Sequence, residues 1–408
     1  MSEVVRSVRG LLESHGEPLR EVYLDSENSG LILPEALEEM VKTYRDYGYG
    51  HPSITHKRGW EAYEIIHKAT DMLMRLIGVG EGEITYTHGG TEANNLAIRG
   101  LINYAREKKR RKIVYSSIEH LSVKFPAERL QKEGFKVVEI PVDKEGFINI
   151  NALEREIDKE TLLVSIAWVN HEIGTIQDLR SIVEIVRDRD PEVYIHTDAC
   201  DALGRFKLDF RKMDVDLASF SSHKVYGPKG VGMLYSKPEV RIHPIIYGQL
   251  STQELWPGVE NVPAIAGLYK SLENIERNLD NYMGNMRRLR DKLINSILTS
   301  VKDSVLNGPI GDRRAIDNVN ISFLGCEGEA LTVELSLRGV YVSSASACTS
   351  RTLIPSHVLI AIGRDYETAH GSLLMKITPI HSDKDIEYTI EQIVEAVDRI
   401  RSISPMRR

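Results

Sequence analysis

The chain has 408 residues, 42% of them hydrophobic and 27% charged, with a formal net charge of -7. That length exceeds one ordinary domain, and the mixture is that of a folded globular protein with a sizeable core, which argues against general disorder. The mild acidity gives no support to a nucleic-acid or anionic-membrane partner, so neither is expected.

The first residues, MSEVVRSVRGLLESHGE, lack the apolar core and small-residue cleavage site of a secretory signal. The longest apolar run, LLVSIAWV, is far too short to cross a bilayer, and a cytoplasmic protein is expected. The three cysteines, Cys200, Cys326 and Cys348, form no CxxC pair and no Cys/His cluster at metal-ligand spacing. Neither a disulfide framework nor a metal site is expected from them.

Between residues 84 and 235, β-rich runs alternate with helical patterns: KIVYSS, KVVEIPV, LLVSIAWV, EVYIHTD, DLASFSS and GVGMLYS. Segments such as HLSVKFPAERLQKEG and DLRSIVEIVRDRD separate them. This alternation predicts an α/β domain with a mostly parallel sheet, whose ligands gather at the carboxyl ends of the strands.

The first such end is YTHGGTEANNLAIRG, which passes through Gly89 and Gly90 into a helix opening near Thr91. Glycines there let backbone N–H groups approach an anion, and a helix N-terminus favours phosphate. A plain turn capped by Thr91 fits equally well. The basic run REKKRRK, 106–112, reads as a solvated helix C-terminus favoured by the macrodipole.

Further on, VYIHTDACDALG ends a strand on Asp198, and SFSSHKVYGPKGVG places Ser221, His223 and Lys224 in the turn after the next strand. A lysine, a strand-end acid and a phosphate cradle together fit pyridoxal phosphate. That cofactor needs a lysine for its Schiff base and an acid facing its pyridinium nitrogen.

From about 263 the pattern changes to long helices, then the short strands NVNISFL and GVYVSS, then a last helix near 383–402. The expected division is a large domain over 15–262 and a smaller α+β domain from 1–14 and 263–408. The smaller one carries VSSASACTSRTL with Cys348. Taken alone, such a cysteine is more often a small buried hydrophobe than a nucleophile.

The segments YTHGGTEANNLAIRG, SSIEH, NHEIGTIQDL, HTDA, SFSSHKVYGPKGVG and VSSASACTS stand in the order seen in cysteine desulfurases of the NifS/IscS type. The chain resembles that family, class V of the fold-type-I pyridoxal phosphate enzymes, from VYLD at 22 to about 400. A lone GGTE is weak; the ordered set, above all SSHKVYGPKG, is specific.

The resemblance implies an α/β fold-type-I enzyme, its large domain a mostly parallel seven-stranded sheet flanked by helices, and a homodimer with active sites near the interface. It implies Lys224 as the Schiff-base lysine and the base that moves the α-proton. His120 would stack on the ring and serve in acid/base steps, and Asp198 would face the pyridinium nitrogen. Gly90, Thr91, Ser221 and His223 would hold the phosphate. Cys348 would take the substrate sulfur as a persulfide with release of alanine, and a sulfur-acceptor or scaffold protein would carry it to iron–sulfur cluster assembly or tRNA thiolation. Cys200 and Cys326 are left as packing residues.

Several pocket positions depart from the family. His171 stands for an asparagine and Asp201 for a glutamine near the cofactor ring, and the two are expected to form a bonded pair with His171 protonated. His51 stands for asparagine, Trp256 for arginine and Val259 for threonine. Leu374 falls where the family clamps the substrate carboxylate with arginine, and each charge-assisted bond so lost is worth roughly 1.5–3 kcal/mol. Lys376, on the same strand face as Leu374, and Arg351 are the candidate substitutes.

Three functions are thus in view. The leading one is a cysteine desulfurase. The second is a class V lyase or aminotransferase for another amino acid or amine, with Cys348 dispensable. The third is a catalytically weakened scaffold subunit of a sulfur-transfer complex.

Overall fold

The computed structural model describes residues 18–344 and 355–403 together with Gly10 and Gly16. Cys348 and Arg351 lie outside the described residues.

The strands in chain order are β1 (Val22–Tyr23), β2 (Glu83–Thr87), β3 (Lys112–Ser116), β4 (Lys136–Ile140), β5 (Thr161–Ser165), β6 (Tyr194–Asp198) and β7 (Leu217–Ser221). They continue as β8 (Gly232–Ser236), β9 (Ser304–Leu306), β10 (Asn318–Phe323), β11 (Val340–Tyr341), β12 (Ser343–Ser344) and β13 (Ser372–Lys376). Seven of them form one sheet in the order β2-β8-β7-β6-β5-β3-β4. Within it β8 runs antiparallel to both neighbours, and the pairs from β7 to β4 are parallel.

Strands β3, β5 and β7 are buried along their whole length. A parallel sheet covered by helices on both faces requires this, and β5, overlapping the run LLVSIAWV, spells it most directly. The strand directions bring the carboxyl ends of β2, β3, β5, β6 and β7 to one edge of the sheet.

A second body is built on the antiparallel sheet β12-β13-β10-β9, with helices Gly328–Leu337 and Asp383–Ile403 around its own core. The 39-residue helix Val262–Ser300 joins the two. Its first half, with Ile265, Leu268, Leu272 and Ile275, packs into the large core. Met286, Leu289, Leu293 and Ile297 pack into the small one, and Met283 touches both.

The helix runs on from 262 without a break, and one apolar stripe along it serves both cores. Strand β1 pairs in parallel with β11, and Val22 and Leu24 belong to the small core. The segment near 22–24 thus sits with the second body rather than the first.

The basic run is not simply solvated. Arg110 is buried with its guanidinium 3.1 Å from Asp190 and 2.6 Å from Glu192, and buried Lys112 pairs with Asp158. The chain turns into β3 at this point, which carries these cations inward to loop carboxylates. Among the described residues no helix is long and apolar enough to cross a membrane.

Candidate active site

A cavity of about 310 Å³ opens at the shared carboxyl edge of the sheet. Strand β2 delivers Gly89 and Gly90 to it, and the helix Gly90–Arg99 begins there with no side-chain cap. Thr91 is inside the helix rather than capping it, so the N–H groups of Gly90 and Thr91 are left for a ligand, while Glu92 N donates to Gly89 O. A Cβ on Gly90 would lie 2.8 Å from Cys200 Sγ and 3.4 Å from Ser221 Cβ, so only glycine lets the backbone descend so far.

Asp198 ends β6. Its Oδ2 accepts from Asn94 Nδ2 at 2.7 Å and its Oδ1 from Cys200 N at 3.0 Å, which fixes the carboxylate's direction. Asn94, also lining the cavity, keeps a buried Oδ1 with no partner. Ser221 ends β7, and the 3-10 turn Ser222–Val225 presents His223 and Lys224. Burial and the Lys224 charge push the His223 imidazole down to about 4, so it is neutral near pH 7. Its Nδ1 accepts from Gly30 N at 3.3 Å, which leaves the proton on Nε2 as a donor.

His120 follows β3 and His171 follows β5. The two rings meet edge to face with centroids 5.0 Å apart. Ser122 N donates to His120 Nδ1 at 3.1 Å, which puts the His120 proton on Nε2 as well.

The expected bonded pair of protonated His171 with Asp201 is corrected. Asp201 instead takes two lysines: Lys224 Nζ at 3.2 Å on Oδ2 and Lys376 Nζ at 2.8 Å on Oδ1. Burial, helped by neighbouring His120, holds His171 well below the usual imidazole value despite the attraction of Asp201. For Asp201 burial works the other way, yet Lys224 and Lys376 outweigh it and keep the carboxyl well below the ordinary range.

Lys376 is likewise corrected as a substitute carboxylate clamp. It is 2% exposed, is not among the residues lining the cavity, and has its ammonium engaged by Asp201 and, at 3.0 Å, by Glu27 Oε2. Leu374, two residues earlier, does line the cavity. Among the described lining residues there is no arginine, and Lys224 is the sole lysine. Trp256 and Val259 line a separate hollow with Gln253, and His51 bonds to Ser53 Oγ at 2.9 Å away from the main cavity.

Glu27 is the residue that sequence reasoning missed. It sits in the turn after β1, lines the cavity, and bonds Lys224 Nζ through Oε1. Gly30 explains its placement: a Cβ there would overlap the His223 carbonyl oxygen, so the turn can press against the lysine turn only with glycine. Arg205 steadies the same region, holding the Lys224 carbonyl at 2.7 Å and Asp317 Oδ2 at 2.7 Å. Burial lowers Lys224's affinity for its proton, but Asp201 and Glu27 more than reverse this, and the ammonium is held above its ordinary value.

Cys200 is buried beneath Gly90, and burial pushes its thiol well up. Cys326 is buried in the small core. Both are placed as packing residues.

Pyridoxal phosphate fits these groups: the uncapped helix start and glycine floor suit a phosphate, Asp198 is aimed and held, and Lys224 enters the same cavity. The fold and the site define a pyridoxal-phosphate-dependent enzyme of fold type I. The chain belongs to the aminotransferase class-V family, whose profile matches residues 22–379. It is 41% identical over 378 residues to cysteine desulfurase IscS 1 of Archaeoglobus fulgidus, covering 92% of this chain and 97% of that one. With the mitochondrial cysteine desulfurase of Saccharomyces cerevisiae it shares 36% over 397 residues, covering 97% of this chain and 78% of that one. A solved NifS-like protein superposes with a TM-score of 0.85 at 32% identity, covering 93% of this chain and 100% of that one.

Proposed function

We propose that this chain is a cysteine desulfurase, moving sulfur from L-cysteine to Cys348 and releasing alanine. The observation that carries the reading is the meeting of Lys224, Asp198 and the Gly90 floor in one cavity. The desulfurase relatives, matched over nearly the whole chain, supply the reaction.

Bound pyridoxal phosphate supplies a cationic ring that draws electrons from the substrate α-carbon. Asp198 would accept the ring N–H and keep it protonated. The N–H groups at Gly90 and Thr91, with Ser221 and the Nε2–H of neutral His223, would hold the phosphate. Lys224 would anchor the cofactor and, as a free amine, would move the α-proton. His120 offers its Nε2–H to the face of the site. The Cys348 thiolate attacks the substrate sulfur: an S–S bond forms, the C–S bond breaks, and its electron pair stays with the three-carbon fragment that becomes alanine.

The persulfide then passes to an acceptor or scaffold protein serving iron–sulfur cluster assembly or tRNA thiolation in the cytoplasm. A homodimer is supported by the exposed apolar side chains of Leu37, Val41, Tyr44, Tyr49, Trp60 and Tyr63, carried on and between two helices consecutive in the chain, Pro34–Asp46 and Lys57–Leu76.

A second reading keeps the cofactor and changes the substrate. Leu374 and the lack of any lining arginine among the described residues favour a substrate without a free carboxylate. A panel of amino acids and amines added to purified holoenzyme, with the visible spectrum, alanine and sulfide all followed, tests both. A response with alanine formed from L-cysteine supports the desulfurase; a response to other amines and none to L-cysteine supports the alternative.

A further inference from the structure

Four charged side chains alternate in sign around the lysine: Glu27, Lys224, Asp201 and Lys376. Each lysine touches both acids, and all four are at least nine-tenths buried. The two acids are not equivalent. Asp201 is engaged on both oxygens, accepting from Lys224 on one and Lys376 on the other. Glu27 bonds Lys224 through Oε1, but its Oε2, although 3.0 Å from Lys376 Nζ, accepts no aligned hydrogen bond. Oε2 is buried against Lys376, so it is Oε1, beside Lys224, whose remaining lone pair can meet a donor in the cavity that Glu27 lines.

Chemistry gives that lone pair a task. Lys224 and the incoming substrate amine must in turn bond the same carbon of the cofactor, so a carboxylate touching one nitrogen is within reach of the other. The amine arrives as an ammonium ion, which is no nucleophile until it gives up a proton. We infer that Glu27 is a further catalytic residue, which takes the proton that the incoming ammonium must lose and holds the nitrogen joined to the cofactor in its protonated form.

The balance closes without another reactant. The substrate ammonium gives one proton to the Glu27 carboxylate, and the freed nitrogen would form its bond to the carbon. A second proton passes from that nitrogen to Nζ, whose bond to the carbon breaks with the electron pair on Nζ, leaving Lys224 as the neutral amine that moves the α-proton. When Lys224 takes the carbon back at the end of turnover the same transfers run in reverse, and Glu27 gives its proton to the departing amine.

The other groups around Lys224 are accounted for. Asp201 from the segment after β6 favours the protonated nitrogen, and Lys376 from β13 opposes it. Arg205 is taken up by Asp317 and the Lys224 carbonyl, His171 is held neutral by burial, and His223 is neutral and bonded to Gly30. Lys376 acts through the two acids and is a positioning residue.

The inference rests on Lys224 carrying the cofactor, and the test separates the two. Wild-type protein is reconstituted with pyridoxal phosphate and its visible band titrated with pH, then compared with Glu27→Gln and Glu27→Asp after circular dichroism and cofactor content are measured. The wild-type midpoint lies above neutral pH, and Glu27→Gln lowers it by about one to three units. Mixing with methylamine, a probe independent of desulfuration, changes the band roughly a hundredfold more slowly in Glu27→Gln, with partial rescue in Glu27→Asp. A wild-type midpoint below neutrality, or a midpoint and exchange rate that Glu27→Gln leaves in place, overturns the role of Glu27 alone. Failure of wild type to form any band overturns the cofactor reading as well, and the wild-type titration stands even if Glu27→Gln does not fold.

Discussion

Replacing Lys376 by methionine removes one cation from the buried quartet and leaves two carboxylates facing a single ammonium. At 2.8 Å from Asp201 and 3.0 Å from Glu27, Lys376 gains roughly 6 kcal/mol of attraction from each at an effective dielectric constant of 20. Desolvation of the buried ions returns much of that, and breaking such a pair from one side costs about 3–5 kcal/mol. Lys376→Met is expected to lose that much stability in guanidinium unfolding of the cofactor-free protein at pH 7, followed by circular dichroism. Asp201→Asn in the same background restores charge balance and regains ~0.5–3 kcal/mol. A loss no larger than the ~1 kcal/mol of an exposed pair refutes the argument. So does a double variant whose cost is the plain sum of the two single ones. A carboxylate clamp predicts something else, namely weaker L-cysteine binding at unchanged stability.

Two further expectations follow from the surroundings of the site. Burial lifts the Glu172 carboxyl to about 8 although Ser356 donates to it, so the folded chain keeps a proton that the unfolded chain releases near 4.5. Its contribution is full below that lower value and is lost as pH rises towards 8. Glu172→Gln should therefore flatten the fall in guanidinium midpoint between pH 5 and pH 8, and a parallel fall in both proteins would contradict this. Gly30→Ala forces a methyl group against the His223 carbonyl. Overpacking of this kind costs about 1–3 kcal/mol, so equilibrium dialysis should find pyridoxal phosphate held roughly ten- to a hundredfold less tightly. Unchanged retention would show that the Glu27 turn does not brace the lysine turn.

The large sheet was legible because short β-rich runs alternate with helical patterns, and β5, buried on both faces, overlaps the continuous apolar run LLVSIAWV. Asp198 and Lys224 were legible because each lies at or just beyond a strand end, where such sheets bind ligands. Glu27 was not, since it stands 197 residues from Lys224 and meets it only through the pairing of β1 with β11 and the fit of Gly30 against His223. The expected His171–Asp201 pair failed for a related reason. Lys376, 175 residues beyond Asp201, reaches it from another sheet and offers a stronger partner than a buried imidazole. The passage from one core to the other runs inside a single helix, with no break in composition to mark it.

The central claim is that sulfur leaves L-cysteine and is taken up by this chain at Cys348. Holoenzyme incubated with L-cysteine and no acceptor, then measured by intact and peptide mass spectrometry beside an alanine assay, tests it most directly. The account predicts one added sulfur atom on the Cys348 peptide in step with alanine, and neither in Cys348→Ala. Alanine formed equally well by Cys348→Ala, or no alanine from the wild-type holoenzyme, would contradict it.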